Sequence, residues 1–253
     1  MDLIQFRYSP YNEKVRWALD FKRVPHVRRS LLPGPHLPVV QRLTGSSHTP
    51  VLCHDAVAIN GSARILDWLE QRYPLPALYP AGPADRDEAL RIQTWFDDDI
   101  TPRVRRAVLS ALLESPRYWA DVFGDGRSSL AKTVYACVVP LAAPLVRKGN
   151  RITGAASVAD GLAAAQQALD FVDSRKSGYL AGDRFSLADL TVASALAVAV
   201  DPVASPMTFP RPYGRAFASF VERFRAHPGA EWVRDIYARH RMATSDFEGA
   251  SSY

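Results

Sequence analysis

The sequence predicts a mixed α/β unit followed by an all-helical unit, and three observations support this fold class. Over the first 75 residues of the 253-residue chain, short stretches of period two alternate with helical stretches. The segment "PLPALYPAGPADRD", residues 74–87, is dense in proline and small residues. Everything after it has helical periodicity. We therefore expect an α/β domain at 1–75, a linker at 76–86, a helical domain at 87–245 and a mobile tail at 246–253.

The α/β part is predicted to run β-α-β-α-β-β-α. "DLIQF" alternates apolar and polar residues as a strand does, and the stretch 10–22 places Val15, Ala18 and Leu19 at helical intervals. "HVRRSLL" is the second strand, and "LLPGPHLPVVQRL" is a loop with a short helix. "TPVLCHDAVAI" divides around His54 into two strands joined by a tight turn. "NGSARILDWLEQRYP" supplies the third helix, which its final proline ends.

The helical part contains segments of different character. "ADRDEALRIQTWFDDDITPRVRRAVLSALL" is expected to form a long helix that bends near Thr101 and Pro102. "SLADLTVASALAVAV" is apolar all round, which predicts a helix at the centre of a bundle, and Ser186 with Asp189 forms a capping-box pattern at its start. "VYACVVPLAAPLV", residues 134–146, is too short to span a bilayer, and we interpret it as a buried helix.

Composition and charge argue against a membrane protein, a nucleic-acid-binding protein and a disulfide-bonded or metal-binding protein. A hydrophobic content of 47% is enough for a sizeable core, and the N-terminus resembles no targeting segment, so we expect cytoplasmic residence and no membrane. The net charge is +5 but no long basic run occurs, so small acidic ligands fit at least as well as nucleic acid, and we expect no nucleic-acid partner. Cys53 and Cys137 lack the spacing of a disulfide framework or a metal site and are interpreted as core thiols.

Four segments, in order, carry a resemblance to one family: "YSPYNEKVRWAL", "HTPVL", "INGSARILDWLEQRYP" and "GDRFSLADL". Together they resemble the cytosolic glutathione S-transferase superfamily with a serine-type active-site turn, its class unassigned. The resemblance implies a thioredoxin-like N-terminal domain and a helical C-terminal domain. It also implies glutathione as co-substrate, a small hydrophobic electrophile as second substrate, a homodimer, a role in detoxification and no metal.

Ser9 is the candidate catalytic residue. It lies between a predicted strand and Pro10, which suits the first position of a helix, so its side chain stands at a helix N-terminus that favours an anion. The resemblance implies that the Ser9 hydroxyl donates a hydrogen bond to the sulfur of glutathione, whose thiolate then attacks the electrophile. The alternative is that Ser9 only caps the helix. Neither cysteine matches this turn, so the pattern does not favour a thiol-disulfide oxidoreductase.

Further residues complete the glutathione site that the resemblance implies. Pro50 would be a cis-proline, beside which the backbone of Thr49 can pair with an extended peptide. Ser62 would bind the γ-glutamyl carboxylate at a helix start. The alternatives are an ordinary trans-proline and a simple N-cap. Tyr11 and Asn12 follow Ser9 and are also expected to face glutathione, and Tyr8 is a further hydroxyl candidate.

The chain departs from the family pattern at Gly61, where members usually carry an acidic residue or glutamine that meets the γ-glutamyl ammonium. Asn60 is a partial substitute. A charge-assisted bond is worth roughly 1.5–3 kcal/mol, so its loss makes a second class serious: a non-catalytic ligand-binding or scaffold protein on the same fold, with weak or no glutathione binding. For the second substrate, helical spacing can place on one face members of a further set of candidates, namely Trp95, Phe96, Arg103 and Arg106. The alternatives are core packing for the two aromatic residues and a solvated surface for the two arginines.

Overall fold

The computed structural model of the chain describes residues 1–175 and 178–241. It consists of a thioredoxin-like N-terminal domain with a four-stranded sheet, followed by an all-helical C-terminal domain, which confirms the predicted fold class. The predicted tail at 246–253 lies outside the described residues.

The N-terminal domain follows the predicted β-α-β-α-β-β-α order. Its strands are β1 (Asp2–Gln5), β2 (Val27–Ser30), β3 (Val51–His54) and β4 (Val57–Asn60), and its helices are α1 (Pro10–Phe21), α2 (His36–Thr44) and α3 (Ser62–Arg72). The sheet order is β2-β1-β3-β4, with β2 parallel to β1 and β3 antiparallel to both of its neighbours. Val51 therefore pairs with Ile4 on one side and Asn60 on the other. The C-terminal end of β1, the N-terminal end of β3 and the C-terminal end of β4 thus lie side by side at the same end of the strands.

The C-terminal domain is helical throughout its described residues. Its helices are α4 (Pro83–Trp95), α5 (Thr101–Leu113), α6 (Pro116–Phe123), α7 (Ser129–Gly149), α8 (Ala155–Ser174), α9 (Leu187–Val200), α10 (Arg215–Arg225) and α11 (Pro228–His240). A π-helical segment, Phe96–Ile100, joins α4 to α5. The regular α-helical pattern is therefore interrupted just before Thr101 and Pro102, next to the position where the sequence predicts a bend. Pro102 has no N–H for the regular ladder, and π-helical turns are a common way to interrupt that ladder.

Helix α9 is the central helix of the molecule, as its apolar sequence predicts. Every one of its residues is buried, and it packs against α1 of the N-terminal domain as well as α4 and α11. The predicted capping box is present: Ser186 N–H donates to Asp189 Oδ2 at 2.9 Å, and the Ser186 hydroxyl accepts from the backbone of the first turn. The same carboxylate accepts from Leu180 N–H at 2.8 Å. The cap therefore ties the preceding loop to the helix.

Helix α7 contains the 134–146 stretch, and the prediction that this stretch is buried is wrong. Val139 is its buried residue, whereas Leu141 and Leu145 are 80% and 73% exposed. Helix α7 packs mainly on α6, and its Tyr135 hydroxyl donates to the carbonyl of Pro33 at 3.0 Å. Its sequence is apolar on both faces, so periodicity alone does not reveal that only one face is covered.

Length and composition single out the same helix in another respect. Among the described residues, α7 is the one helix long and apolar enough to cross a membrane, with 21 residues and a mean hydropathy of 1.6 in its most apolar window.

The two cysteines differ from their predicted core positions. Cys137 lies on the uncovered face of α7 and is exposed, and Cys53 is only partly buried. Burial raises the pKa of the Cys53 thiol, so this thiol stays protonated near neutral pH. Both cysteines are free, as the lack of disulfide spacing predicts.

Buried ion pairs fix α1 between the two domains. Glu13 is fully buried and accepts from Arg16 at 2.8 Å and from Arg241, just after α11, at 2.7 Å. Arg241 also reaches Asp20 at 2.9 Å, and Trp17 Nε1–H donates to the backbone near the end of α11. Burial opposes ionisation of Glu13, but the two guanidinium groups outweigh it and lower its pKa. The helix that begins beside Ser9 is thereby held in place.

Candidate functional site

Three chain segments meet where the sheet topology brings strand ends together: the turn before α1, the turn before β3 and the turn before α3. Ser9, Pro50 and Gly61 belong to these three turns. The backbone N–H of Gly61 donates to the carbonyl of Pro50 at 3.0 Å, which joins the second and third turns directly. The first and second are joined by Asn12, whose amide nitrogen donates to the Thr49 hydroxyl at 3.1 Å. The fold thus brings the predicted site residues together, although their distances from β1 along the chain differ widely.

Ser9 is the N-cap residue of α1 by backbone geometry. Its φ of −125° and ψ of 127° are extended, its carbonyl accepts from the backbone N–H groups of Asn12 and Glu13, and Pro10 occupies the first helical turn. Its hydroxyl makes no capping bond and has no hydrogen-bond partner among the described residues. A partly exposed hydroxyl at a helix N-terminus is therefore available to a ligand.

Ser115 provides an internal comparison for Ser9. It also precedes a proline, Pro116, and is the N-cap residue of α6, with an extended φ of −129°. Its hydroxyl accepts from Tyr118 N–H at 3.3 Å, the usual capping bond. The same Ser-Pro pattern therefore uses its hydroxyl for the helix at Ser115 and leaves it without a capping bond at Ser9.

The turn before β3 has the predicted cis geometry at the Thr49–Pro50 bond. Asn12 reaches this turn from α1 and is completely buried, and its carboxamide oxygen has no partner among the described residues. A buried unpaired acceptor is unfavourable in the protein alone, and a ligand donor at this turn would satisfy it.

The N-terminus of α3 is the third part of the site. Ser62 is its first residue and is buried, and no side chain of the described residues caps the helix. The free N–H groups and the helix dipole make this end suitable for a carboxylate. Gly61 precedes it with φ 95° and ψ 135°, a conformation that favours glycine.

No acidic side chain stands at position 61, and Asn60 is already engaged. Its amide nitrogen donates to the carbonyls of His48 at 2.6 Å and Pro50 at 3.3 Å. These bonds use the amide donors and leave the carboxamide oxygen as the group with which Asn60 can meet an ammonium.

The two tyrosines beside Ser9 have separate environments. The Tyr11 hydroxyl donates to the carbonyl of Asp97 in the π-helical segment at 2.8 Å, and burial raises the pKa of that hydroxyl. The Tyr8 hydroxyl faces Asp125 in the loop between α6 and α7, at 3.4 Å, and its ring packs on Phe209. Burial, followed by the Asp125 charge, raises the pKa of Tyr8 as well. Both phenols therefore stay protonated near neutral pH.

The side chains proposed for the second substrate lie elsewhere. Trp95 and Phe96 both pack against Phe171 of α8, and Arg103 and Arg106 both bind Asp160 of α8, at 2.7 and 3.2 Å. Helical spacing does group Trp95, Arg103 and Arg106, but their face meets α8 rather than Ser9.

Arg105, which the sequence analysis did not single out, also lies near the Ser9 turn, beside Tyr11. Its guanidinium carbon is 6.0 Å from the centre of the Tyr11 ring. The signal available in the sequence was only its place between Arg103 and Arg106, on a different face of the same helix.

Two cavities lie away from this arrangement. One of about 380 Å³ lies between α5, α8 and α10, where Ile152 and Phe220 are among the lining residues. Another of about 560 Å³ lies along α10. None of the residues predicted for the glutathione site lines either of these two cavities.

Comparison with known proteins agrees with this architecture. Residues 3–77 match the family model described as "Glutathione S-transferase, N-terminal domain", and residues 155–223 match "Glutathione S-transferase, C-terminal domain". The two matches together span more than half of the chain.

The individual proteins that resemble this chain share only a modest fraction of its sequence. A maleylpyruvate isomerase of Ralstonia sp is 31% identical over 115 residues, which are 44% of this chain and 54% of that protein. The chain thus spans about half the length of this relative. FtsZ-localized protein A of Caulobacter vibrioides is 27% identical over 202 residues, 78% of this chain and 75% of that protein. Among solved structures, the theta class glutathione S-transferase from Xanthomonas axonopodis pv. citri, with glutathione bound, has a TM-score of 0.53 at 19% identity, covering 96% of this chain and 97% of that one.

Proposed function

Because the chain belongs to the glutathione S-transferase superfamily, we propose that it is an enzyme that binds glutathione and activates its thiol at Ser9. The thiolate attacks a small electrophile, in a conjugation or in a related isomerase or lyase step. One observation carries the proposal: the Ser9 hydroxyl, at the N-terminus of α1, has no partner among the described residues, whereas the Ser115 hydroxyl is used by its own helix.

The chemistry that glutathione supplies is a sulfur nucleophile whose thiol, like that of free cysteine, ionises near pH ~8.5. Ser9 donates its hydroxyl hydrogen bond to the sulfur, and the α1 N-terminus adds a favourable dipole, so both stabilise the thiolate over the thiol. The thiol proton leaves to solvent. The carbon–sulfur bond then forms either as a leaving group departs from the electrophile with the electron pair of its bond, or as a conjugated double bond of the electrophile opens and takes up a proton from solvent. Ser9 itself forms no covalent bond.

The remaining predicted residues would position glutathione. Ser62 and the free N–H groups of α3 would hold the γ-glutamyl carboxylate, and the backbone of Thr49 beside the cis-proline would pair with the peptide. Asn12 links α1 to Thr49, and its unpaired oxygen offers an acceptor nearby. These unpaired groups fit a ligand that has both peptide donors and a carboxylate.

Other properties are proposed without a test in the fold. The homodimer and a part in detoxification rest on the family resemblance, whereas cytoplasmic residence and domain limits at residues 75 and 87 rest on the sequence pattern.

A second candidate function is ligand binding without catalysis, or service as a scaffold. Gly61 favours it, because the acidic partner for the γ-glutamyl ammonium is missing there. The relative that this chain covers at three quarters of its length is named for its localisation with FtsZ rather than for a reaction. Calorimetric titration with reduced glutathione separates the two: no binding at millimolar concentration would favour the second candidate.

The catalytic proposal is tested with Ser9→Ala in a thiol-conjugation assay with a generic aromatic electrophile. A hydrogen bond to a charged group is worth roughly 1.5–3 kcal/mol, so turnover should fall about 10- to 100-fold. Because the hydroxyl caps nothing, the free energy of unfolding should change by less than about 0.5 kcal/mol.

Ser115→Ala is the matched control. It should cost about 1 kcal/mol of stability through the lost capping bond and leave turnover unchanged. Unchanged turnover in Ser9→Ala would refute the assignment of Ser9.

A further inference from the structure

Arg105 is a largely buried cation without a polar partner. It lies on α5, its Nε is fully buried, and no described residue accepts a hydrogen bond from its guanidinium. Its one close contact with a functional group is the Tyr11 ring, 6.0 Å from the guanidinium carbon. Tyr11 follows Ser9 by two residues, so this cation lies beside the turn that carries the proposed catalytic hydroxyl.

The neighbouring arginines of α5 form ion pairs with acidic side chains, as is usual for arginines with a structural role. Arg103 binds Asp160 at 2.7 Å and Asp99 at 3.2 Å, and Arg106 shares Asp160. Their charges are neutralised by α8 and by the π-helical segment. Within residues 1–175 and 178–241, no acid pairs with Arg105, which sets it apart from the two arginines beside it on the same helix.

The charged groups around Arg105 do not replace an acid. Burial lowers the pKa of its guanidinium, Tyr11 raises it and Arg106 lowers it, and none of these groups is a carboxylate. The carboxylate of Asp97, whose carbonyl holds Tyr11, is bound by Lys14 at 2.6 Å. Asp98 adds a further negative charge near Tyr11, but no ion pair joins it to Arg105 within the described part of the chain.

The Nε–H of Arg105 is buried without an acceptor, which is unfavourable for folding because this donor loses water and gains no hydrogen bond in return. The planar fork of a guanidinium matches a carboxylate through two parallel hydrogen bonds, better than any other cationic side chain. A group of this kind that the fold leaves unsatisfied is suited to receive a carboxylate from outside the protein.

We propose that Arg105 binds a carboxylate of the second substrate, so that the electrophile is an anionic small molecule and not merely a hydrophobic one. That this anionic molecule is the second substrate rests on the proposed function, in which Ser9 binds the sulfur of glutathione. The carboxylate would fix the electrophile on the α5 side of the Ser9 turn. The observation is consistent with the net charge of +5, which favours acidic ligands.

The test uses two unreactive probes, 3,5-dinitrobenzoate and 3,5-dinitrobenzamide, which share a ring and differ in a carboxylate or a neutral amide. Each is titrated calorimetrically into the wild-type protein, Arg105→Gln and Arg106→Gln. Wild type should bind the carboxylate about 10- to 100-fold more tightly than the amide. Arg105→Gln should abolish this preference, and Arg106→Gln, which changes an arginine already bound to Asp160, should keep it.

Two further arms locate the site and guard against misfolding. Repeating the titrations with saturating S-methylglutathione should leave the preference intact, whereas a preference lost there would assign Arg105 to a carboxylate of glutathione and overturn the proposal. Arg105→Lys keeps the charge without the fork and should retain only part of the preference.

Equal binding of the two probes by wild type, no binding of either, or a preference that survives Arg105→Gln would each overturn the proposal. Neither probe reacts with a thiol, so these titrations measure binding independently of turnover. A wild-type protein that shows no turnover with glutathione would refute the proposed function without changing the outcome of the Arg105 titrations.

Discussion

At the scale of single residues, the proposed glutathione site differs from the family pattern at Gly61. Its φ of 95° is a conformation that other residues rarely adopt, and an added Cβ would meet no atom within 4 Å. An added Cβ at position 61 therefore meets backbone strain, worth about 1–3 kcal/mol, and no steric clash. The first atom of a side chain fits, but the backbone opposes it.

Gly61→Glu is predicted to bind glutathione about tenfold more tightly than Gly61→Ala, because only glutamate offers a charge-assisted partner to the γ-glutamyl ammonium. The two variants share the backbone strain, so comparing them isolates the carboxylate. Calorimetric titration measures both affinities, and urea unfolding checks that their stabilities agree. Equal affinities would mean that Asn60 or another group already fills this role.

Sequence predicted the parts of the site that local chemistry specifies. Ser9 before Pro10 follows from helix-start preferences, and Ser62 from its place at a helix start. Arg105 was missed because the acid that distinguishes it from Arg103 and Arg106, Asp160, lies more than fifty residues away on α8. Which side chain keeps a free charge is decided by tertiary pairing, and spacing along one helix does not contain that information.

At the scale of secondary-structure elements, α9 and α7 also show that local sequence does not contain the information about tertiary contacts. Both are strongly apolar, and sequence predicts both as buried, yet α9 is covered on all sides and α7 on one. The Ala-rich sequence of α9 allows close approach of several helices, and its capping box marks its start. In α7 no local signal reports how many neighbours the helix has, because that number depends on the whole arrangement of the domain.

The cap of α9 makes a prediction about pH. Burial raises the pKa of Asp189 from 3.8 to about 6, against the hydrogen bonds it accepts. The folded protein thus holds this proton more tightly than the unfolded chain, so the resulting stabilisation is complete below pH 3.8 and is lost as the pH rises through about 6. Relative to Asp189→Asn, the wild-type free energy of unfolding should fall by up to about 3 kcal/mol over that range.

Urea unfolding at several pH values between these limits measures the difference. Ser186→Ala keeps the titrating carboxyl and loses the cap hydroxyl, so it should be less stable than wild type by about 1 kcal/mol while keeping the wild-type direction of pH dependence. A difference between wild type and Asp189→Asn that does not change with pH would contradict the raised pKa.

At the scale of the whole molecule, the C-terminal end of the described chain fastens the helical domain to α1. Arg241 joins Glu13 and Asp20, and all three groups are largely withdrawn from water. Replacing Arg241 by methionine leaves Glu13 with fewer charge partners in a buried position, which is predicted to cost about 3–5 kcal/mol in free energy of unfolding. Arg239→Met, which breaks an exposed pair with Asp235, should cost less than about 1 kcal/mol.

Denaturant unfolding followed by tryptophan fluorescence measures both variants, since Trp17 lies against Arg241. Similar small losses in the two would show that α11 does not hold α1 in this way. The order of strands and helices could be read from the sequence because each element has its own periodicity. This link could not, because its partners lie more than two hundred residues apart.

The central claim is that Ser9 and the N-terminus of α1 stabilise the thiolate of bound glutathione. The most direct measurement is an ultraviolet titration of that thiolate in the wild-type complex and in Ser9→Ala, at saturating glutathione. Thiolate formation should have its midpoint well below pH ~8.5 in the wild-type complex and return toward that value in Ser9→Ala. A midpoint that matches the free thiol, or one that is the same in both proteins, would contradict the claim.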